Sequence, residues 1–373
     1  MKKTIFFCFL ILMAASVTAQ ADNYHISGKV IDGVTKAPMQ GASVFAQNTT
    51  MGTATTVDGN FSLRLASGGY DLVVTFTGYE TTTRRISTAD ADDKNLVVEI
   101  RPKEKAMEDV VIKSSNEVKD GWEKYGSFFM DNFIGKTSNS KQCLLINKDV
   151  LKFYYYKKRN RLKVMASEPI EIENWALGYK IKYTLDSFVH EYGSQSWVYT
   201  GYPLFEEMVA GDSTQGETWR ENRLDAYNGS ILHFMRSIYQ KSLKEEGFEV
   251  QFVAKNKDAE TAIPLVNFYS ALNYNMDDST QLVGILPNQP DVAVLYTYEE
   301  PEPEYLVQNE GAPPEYQLSV INIRPGESIA IEKNGYYFDQ NDIVVTGYWI
   351  WDKVGDSLPY DYIPELLDKE TIQ

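Results

Sequence analysis

Three histidines, His25, His190 and His233, are the chain's whole supply of imidazole, so their placement limits the metal and acid–base chemistry open to it. None stands in a His-Glu-x-x-His or comparable ligand spacing. A zinc peptidase needs paired His and Glu ligands, and His190 followed directly by Glu191 does not supply them. Cys143, between Gln142 and Leu144 in a strand-like run, reads as a buried thiol rather than a nucleophile. The sequence has neither a Gly-x-Ser-x-Gly elbow nor a phosphate-cradling glycine loop. No catalytic residue, metal ligand or cofactor is therefore assigned.

The sharpest local grouping is Arg220, Arg223, Tyr227, Ser230 and His233. If Arg220 and Arg223 converge on the N-terminus of a helix that Ser230 begins, free backbone amides and the helix dipole would favour a carboxylate or phosphate there. The plainer alternative pairs the arginines with Glu217, Glu221 or Asp225 and leaves them to solvate a helix face. The aromatic stretch Trp197 to Phe205 would line a sugar-binding groove or fill a core, and core is the reading taken.

These residues must be positioned in a chain built for export. Lys2 and Lys3, the apolar run Ile5 to Ala15 and the small residues of Val17-Thr18-Ala19-Gln20-Ala21 read as a signal peptide over residues 1–21. The apolar run is shorter than the roughly 20 residues of a membrane helix, and no later stretch approaches that length. Cys8 lies inside the run rather than after it, which argues against a lipoprotein anchor. Cleavage leaves Cys143 as the one cysteine and no internal disulfide. It also removes Lys2 and Lys3, taking the formal net charge from −16 to −18. So acidic a chain argues against nucleic acid and anionic membrane as partners, and helical segments and charges inside the strands argue against an outer-membrane barrel.

From His25 to Arg101 short alternating runs are separated by turn residues, the rhythm of an all-β sandwich. Phe61, Leu63 and Leu65 alternate with Asn60, Ser62 and Arg64, so one face is apolar. Asp58-Gly59 before them reads as a hairpin turn. Gly28, Asp32 to Pro38, Gly41-Ala42-Ser43-Val44, Thr56 to Phe61, Tyr70 to Val74 and Gly78-Tyr79 together resemble the carboxypeptidase regulatory-like domain. The resemblance implies a seven-stranded, transthyretin-like sandwich over 24–101, and a non-catalytic module rather than a peptidase.

Residues 102–120 read as a linker segment. Within it, Ala106 to Lys113 resembles the segment that follows the same domain in TonB-dependent outer-membrane transporters, which implies that Asp109, Val110, Val111 and Ile112 could add a strand to an energising partner. The other reading is a linker strand packed on the following domain.

Residues 121–373 read as an α+β domain. Trp122, Tyr125, Phe129 and Phe133 predict a helix over 117–133. Strands are expected at Leu144 to Ile146, Lys152 to Tyr156, Leu162 to Ala166, Ile170 to Ile172 and Gly178 to Phe188, with Lys157 to Arg161 a basic turn. A helix begins at Glu217, and Asn228 or Ser230 caps a second that Gly247 stops. Glu299 to Glu304 reads as an extended, exposed acidic loop. Asn334-Gly335 reads as a hairpin turn between Ser328 to Ile331 and Tyr336 to Phe338, followed by a strand at Ile343 to Val345. Trp219-Arg220, Arg223, Ala226 to Ser230, His233-Phe234 with Arg236, Gly347 to Trp349 and Leu358 to Tyr362 resemble the C-terminal part of exported envelope proteins that carry the same sandwich and have no assigned activity.

The expectation is a non-enzymatic interaction or scaffold protein, exported to the periplasm or outer membrane, whose partner is another envelope protein or a glycan. The alternatives are an atypical hydrolase or an anion- or glycan-binding protein using the second domain, and an accessory of a TonB-linked uptake system.

Overall fold

A computed structural model describes residues 24–87, 94–103, 116–256, 259–324, 326–338 and 343–365. The signal peptide and the 109–112 segment lie outside them.

The first seven strands are β1 (Tyr24–Asp32), β2 (Ser43–Ala46), β3 (Gly52–Ala54), β4 (Asn60–Leu65), β5 (Gly69–Thr75), β6 (Thr82–Ser87) and β7 (Lys94–Ile100). They form two sheets, β4-β1-β7 and β3-β2-β5-β6, around a core that includes Ile26, Val30, Leu63, Leu72, Val74 and Val98. β1 pairs antiparallel with β4 and parallel with β7. Gly28 sits at that crowded centre, where a Cβ would run into the Leu96 carbonyl and the Phe61 ring. The Asp58-Gly59 turn is tight, with the Gly59 N–H donating to the Thr56 carbonyl at 2.9 Å. It is not a hairpin, because β3 and β4 belong to different sheets; a glycine at φ +75° lets the chain reverse and cross between layers.

The next body is a six-stranded antiparallel sheet of β8 (Cys143–Leu145), β9 (Leu151–Tyr156), β10 (Arg161–Ala166), β11 (Ile170–Asn174), β12 (Tyr179–Glu191) and β13 (Ser196–Glu207). β12 is long enough to pair β11 with its first half and β10 with its second, while β13 runs along its other side. Helix α1 (Gly121–Phe133) covers the sheet with fully buried Phe129 and Phe133, whose rings meet Phe188 and Tyr183 edge-on. The helix starts four residues later than its apolar spacing predicts. Glu117 bridges Tyr154 and the Val118 N–H donates to the Phe153 carbonyl at 2.9 Å, so sheet pairing claims the residues before it.

Two helices lead onward. α2 (Ser213–Tyr227) begins earlier than Glu217 because the Asp212 side chain accepts the Gln215 N–H. α3 (Ile231–Gln240) is capped by Ser230, which accepts the His233 N–H. It ends at Lys241, in the left-handed region at φ +57°, rather than at Gly247. Phe234, Met235 and Ile238 enter a separate core with Phe248, Val250, Val294 and Ile321.

That core joins a five-stranded antiparallel sheet, order β15-β14-β18-β19-β21, to a small sheet β16-β17-β20. Its strands are β14 (Phe248–Asn256), β15 (Ala259–Pro264), β16 (Asn275–Met276), β17 (Val283–Ile285), β18 (Asp291–Tyr296), β19 (Gln317–Ile323), β20 (Ile329–Ile331) and β21 (Ile343–Gly347), with short helices α4 (Phe268–Ala271) and α5 (Pro303–Gln308). α5 corrects the extended-loop expectation for 299–304. Pro303 opens a helix, Pro301 is buried, and Glu302 accepts the Trp351 indole N–H at 2.9 Å. The Asn334-Gly335 turn is observed, with the Glu332 N–H donating to the Tyr336 carbonyl at 2.8 Å.

The segment 354–362 runs back across all three bodies. The Gly355 N–H donates to the Ile134 carbonyl after α1. The Tyr360 N–H donates to the Asn48 carbonyl at 2.7 Å, and Asp361 accepts both the N–H and the hydroxyl of Thr50 in the sandwich.

Candidate functional site

The five residues singled out around the α2–α3 junction do not share one pocket. Arg223 lies flat over Tyr179, its guanidinium carbon 4.0 Å from the ring centroid. It donates to the carbonyls of Leu177 at 2.6 Å and Gly178 at 3.2 Å, and pairs with Glu207 at 3.3 Å. It thus joins α2 to the tight turn before β12. Arg220 is about half exposed and approaches Glu365 at 4.0 Å. The pairing partners come from elsewhere in the chain, not from the helix-local Glu217, Glu221 or Asp225.

Tyr227, Ser230 and His233 do meet. The Tyr227 and His233 rings lie 4.6 Å apart. Ser230 Oγ donates to the Tyr227 carbonyl at 2.6 Å and accepts the His233 N–H at 3.1 Å. His233 Nδ1 accepts the Gly229 N–H at 3.2 Å, which places the ring proton on Nε2, facing Glu246 Oε2 at 3.2 Å. Burial holds the imidazole below its ordinary value despite Glu246, which pulls the other way. The arrangement can orient and rigidify a helix start. Ser230 Oγ and both ring nitrogens of His233 are engaged in it.

Arg236, one of the residues that carry the second-domain resemblance but not one assigned a role from the sequence, anchors this junction. Its guanidinium is buried and donates to the carbonyls of Asn334, Tyr362 and Tyr360 at 3.0, 2.9 and 2.9 Å. A buried arginine on an apolar helix face, two residues after Phe234, was the available signal. Asn334 in turn donates to the Gly69 carbonyl at 3.0 Å, and Tyr336 donates its phenol proton to Asp71 at 2.9 Å, so the same cluster reaches the sandwich.

Beside it, a cavity of about 160 Å³ is lined by Asn48, Ser230, Trp349, Asp352, Asp356 and Tyr360, among others. Burial, then Asp356 and Glu302, drive the Asp352 carboxyl well above its ordinary value. Burial raises Asp356 to about 6, although Thr137 and Asn139 donate to it. Asp356 serves as acceptor for the loop after α1. Among the described residues no three His, Cys, Asp or Glu side chains are placed to hold a metal ion. Cys143 is buried, with its thiol pushed up to about 12 by desolvation. His190 packs between Phe128 and Tyr192, ring centroids 4.7 and 4.4 Å away. The Asp109 to Ile112 segment lies outside the described residues. No described helix is long and apolar enough to cross a membrane.

Comparison with known proteins gives a family for the first body. The CarboxypepD_reg-like domain model matches residues 26–112, running past Arg101 into the segment read as a linker. No curated protein matches the chain. Among solved structures, a type II cohesin–X–dockerin complex from Acetivibrio cellulolyticus is 25% identical over 21% of this chain and 57% of that one, at a TM-score of 0.17. A point mutant of catechol 1,2 dioxygenase from Acinetobacter radioresistens is 13% identical over 25% of this chain and 56% of that one, at 0.20. A Bacteroides fragilis protein described as membrane-associated and of unknown function is 11% identical over 87% of this chain and 95% of its own, at 0.16. The chain thus spans a little over half the length of the first two, and likenesses this weak bear on neither fold nor activity. What the residues and the family match establish together is that the chain carries a CarboxypepD_reg-like domain at residues 26–112, followed by a mixed α/β region with several antiparallel sheets.

Proposed function

We propose that the chain is a non-enzymatic interaction protein of the cell envelope, exported to the periplasm or outer-membrane surface, in which a transthyretin-like sandwich and the sheets behind it form one rigid platform for an envelope partner. The observation that carries this reading is the crossing of 354–362 over all three bodies. Asp361 holds Thr50, Tyr360 holds Asn48, and Arg236 fixes the carbonyls of both Tyr360 and Tyr362. Polar groups that an enzyme would keep free at a cleft between domains are here used to close the clefts. A rigid surface loses less conformational entropy on binding than a hinged one, which suits a scaffold.

The test is direct. Mature protein immobilised from residue 22 onward is exposed to envelope extract, the retained component is identified and purified, and its binding is remeasured with pure protein. Saturable binding by a purified envelope protein or glycan is expected. Turnover of peptide, ester or glycoside substrates by the same preparation would overturn the reading in favour of a hydrolase.

A further inference from the structure

A groove of about 1030 Å³ lies between the chain entering α1 and the turn from β9 to β10. Five basic side chains line it, Lys119, Lys124, Lys157, Lys158 and Arg159, against two carboxylates, Glu117 and Asp120. This inverts the sign of a chain whose formal net charge is −16. Lys124 pairs with Asp120 at 2.9 Å on the previous turn. Lys157, Lys158 and Arg159 are exposed and project from a single 3-10 turn. That turn is not loose: Asn160 closes it in the left-handed region at φ +47°, its side chain accepts the Tyr155 phenol proton at 2.7 Å, and its carbonyl accepts the Tyr192 N–H. Three like charges therefore project from one fixed turn, where an anion would relieve their mutual repulsion.

The rest of the lining is aromatic. Tyr125, Tyr155 and Tyr156 are half-buried along the groove, and the Tyr125 and Tyr155 rings stack at 6.4 Å, with Tyr125 stacked in turn on Phe153 at 6.3 Å. Rings locked in this way offer flat apolar surface at little entropic cost. Cations beside flat rings match a ligand with both carboxylates and the apolar faces of sugar rings. An acidic peptide would use the cations and leave the rings idle. A nucleic acid would meet the field of the whole acidic chain over its length. The groove's volume is that of a small-molecule or oligosaccharide site.

We infer that this groove binds an acidic carbohydrate, its carboxylates on Lys157, Lys158 and Arg159 and its sugar faces on the tyrosines. The inference rests on the reading of the chain as a binding protein and names a ligand class for it. The experiment is calorimetric titration of the mature protein with an oligogalacturonate, a neutral malto-oligosaccharide and poly-glutamate, at low and raised salt. It is repeated on the triple variant Lys157→Glu/Lys158→Glu/Arg159→Glu and on Tyr156→Ala, with thermal melts to verify folding. Binding of the oligogalacturonate is expected to weaken at least ~10-fold in the triple variant and to fall with salt. It should weaken several-fold in Tyr156→Ala, and the neutral sugar should bind far more weakly. Oligogalacturonate binding that is absent, or unchanged in the folded triple variant, overturns the assignment. So does poly-glutamate binding as tightly as the uronate with no dependence on Tyr156. Where the oligogalacturonate fails in either way but the protein still retains the purified envelope component identified above, the groove assignment falls alone and the interaction reading stands.

Discussion

The Tyr79 phenol donates a hydrogen bond to the Asp32 carboxylate at 2.6 Å, joining the end of β1 to the loop after β5. The other Asp32 oxygen accepts the N–H groups of Val34 and Thr35. Tyr79, then the two backbone donors, hold this carboxyl down at about 2, and the same bond raises the Tyr79 phenol. Two distant pieces of the ordered set that resembles the carboxypeptidase regulatory-like domain, Asp32 to Pro38 and Gly78-Tyr79, are therefore in contact.

Asp32→Asn is expected to lower the melting temperature of the sandwich, with Tyr79→Phe lowering it less, because the backbone donors survive the second change. The pH sign follows from a folded value below the unfolded 3.8. The carboxylate's contribution is complete above about 4 and is lost as pH falls toward about 2. Circular-dichroism melts of wild type and Asp32→Asn across that range check it: the two curves should converge at the acid end.

Asp356 has the opposite sign. Its folded value, about 6, lies above the unfolded 3.8, so its contribution is complete below about 4 and is lost as pH rises through about 6. Asp356→Asn should flatten the dependence of denaturant stability over that interval by about 3 kcal/mol. A midpoint series from mildly acidic to neutral pH measures this, and an unchanged slope in the variant would remove Asp356 as its source.

Arg236→Ala leaves three buried or half-buried carbonyls without their donor. A loss of about 3 kcal/mol is expected from equilibrium denaturation. Limited proteolysis should cut the variant first near 358–365, since that segment loses two of its anchors.

Cys143 should be inert in the native protein. With the thiol pushed up to about 12 and its sulfur near the Asn139 carbonyl at 3.6 Å, a disulfide reagent at mildly alkaline pH should leave it unmodified and, in protein prepared from residue 22 onward, titrate one thiol per chain in concentrated guanidinium. Rapid native labelling would mean that the body around β8 opens readily.

The legible parts of this fold are those where a local pattern is sufficient. The alternation of Phe61, Leu63 and Leu65 became a strand with one buried face, and Ser230 became the cap of α3, because each depends on residues a few positions apart. What was not legible depends on partners far along the chain. Nearness in sequence offers Arg223 the carboxylates of Glu217, Glu221 and Asp225, none of them three or four residues away, and its partners are Glu207 and two carbonyls some 45 residues earlier. Glu299 to Glu304 reads as a solvated acidic stretch until the Trp351 indole donates to the Glu302 carboxylate and the Tyr348 hydroxyl accepts the Glu302 N–H. Likewise Gly229, a small residue between two candidate caps, sits where a Cβ would press on the Gln317 side chain and the Tyr296 ring, and its carbonyl accepts the Trp349 indole N–H at 2.6 Å. No spacing rule connects positions 229 and 349.

The crossing of 354–362 also orders events in time. Asn48 and Thr50 meet their partners across sequence separations of 310 and 311 residues, and closing so long a loop is among the slower steps a folding chain takes. The sandwich has its own seven strands and core and can consolidate while later residues are still being delivered. Its attitude toward the sheets behind it is set first by β13, through Asn48 to Pro203 and Phe205 to Thr49, and by Asn334 and Tyr336, and Asp361 adds the last clasp. The contacts of that segment are the first that a pull on the C-terminal side would release.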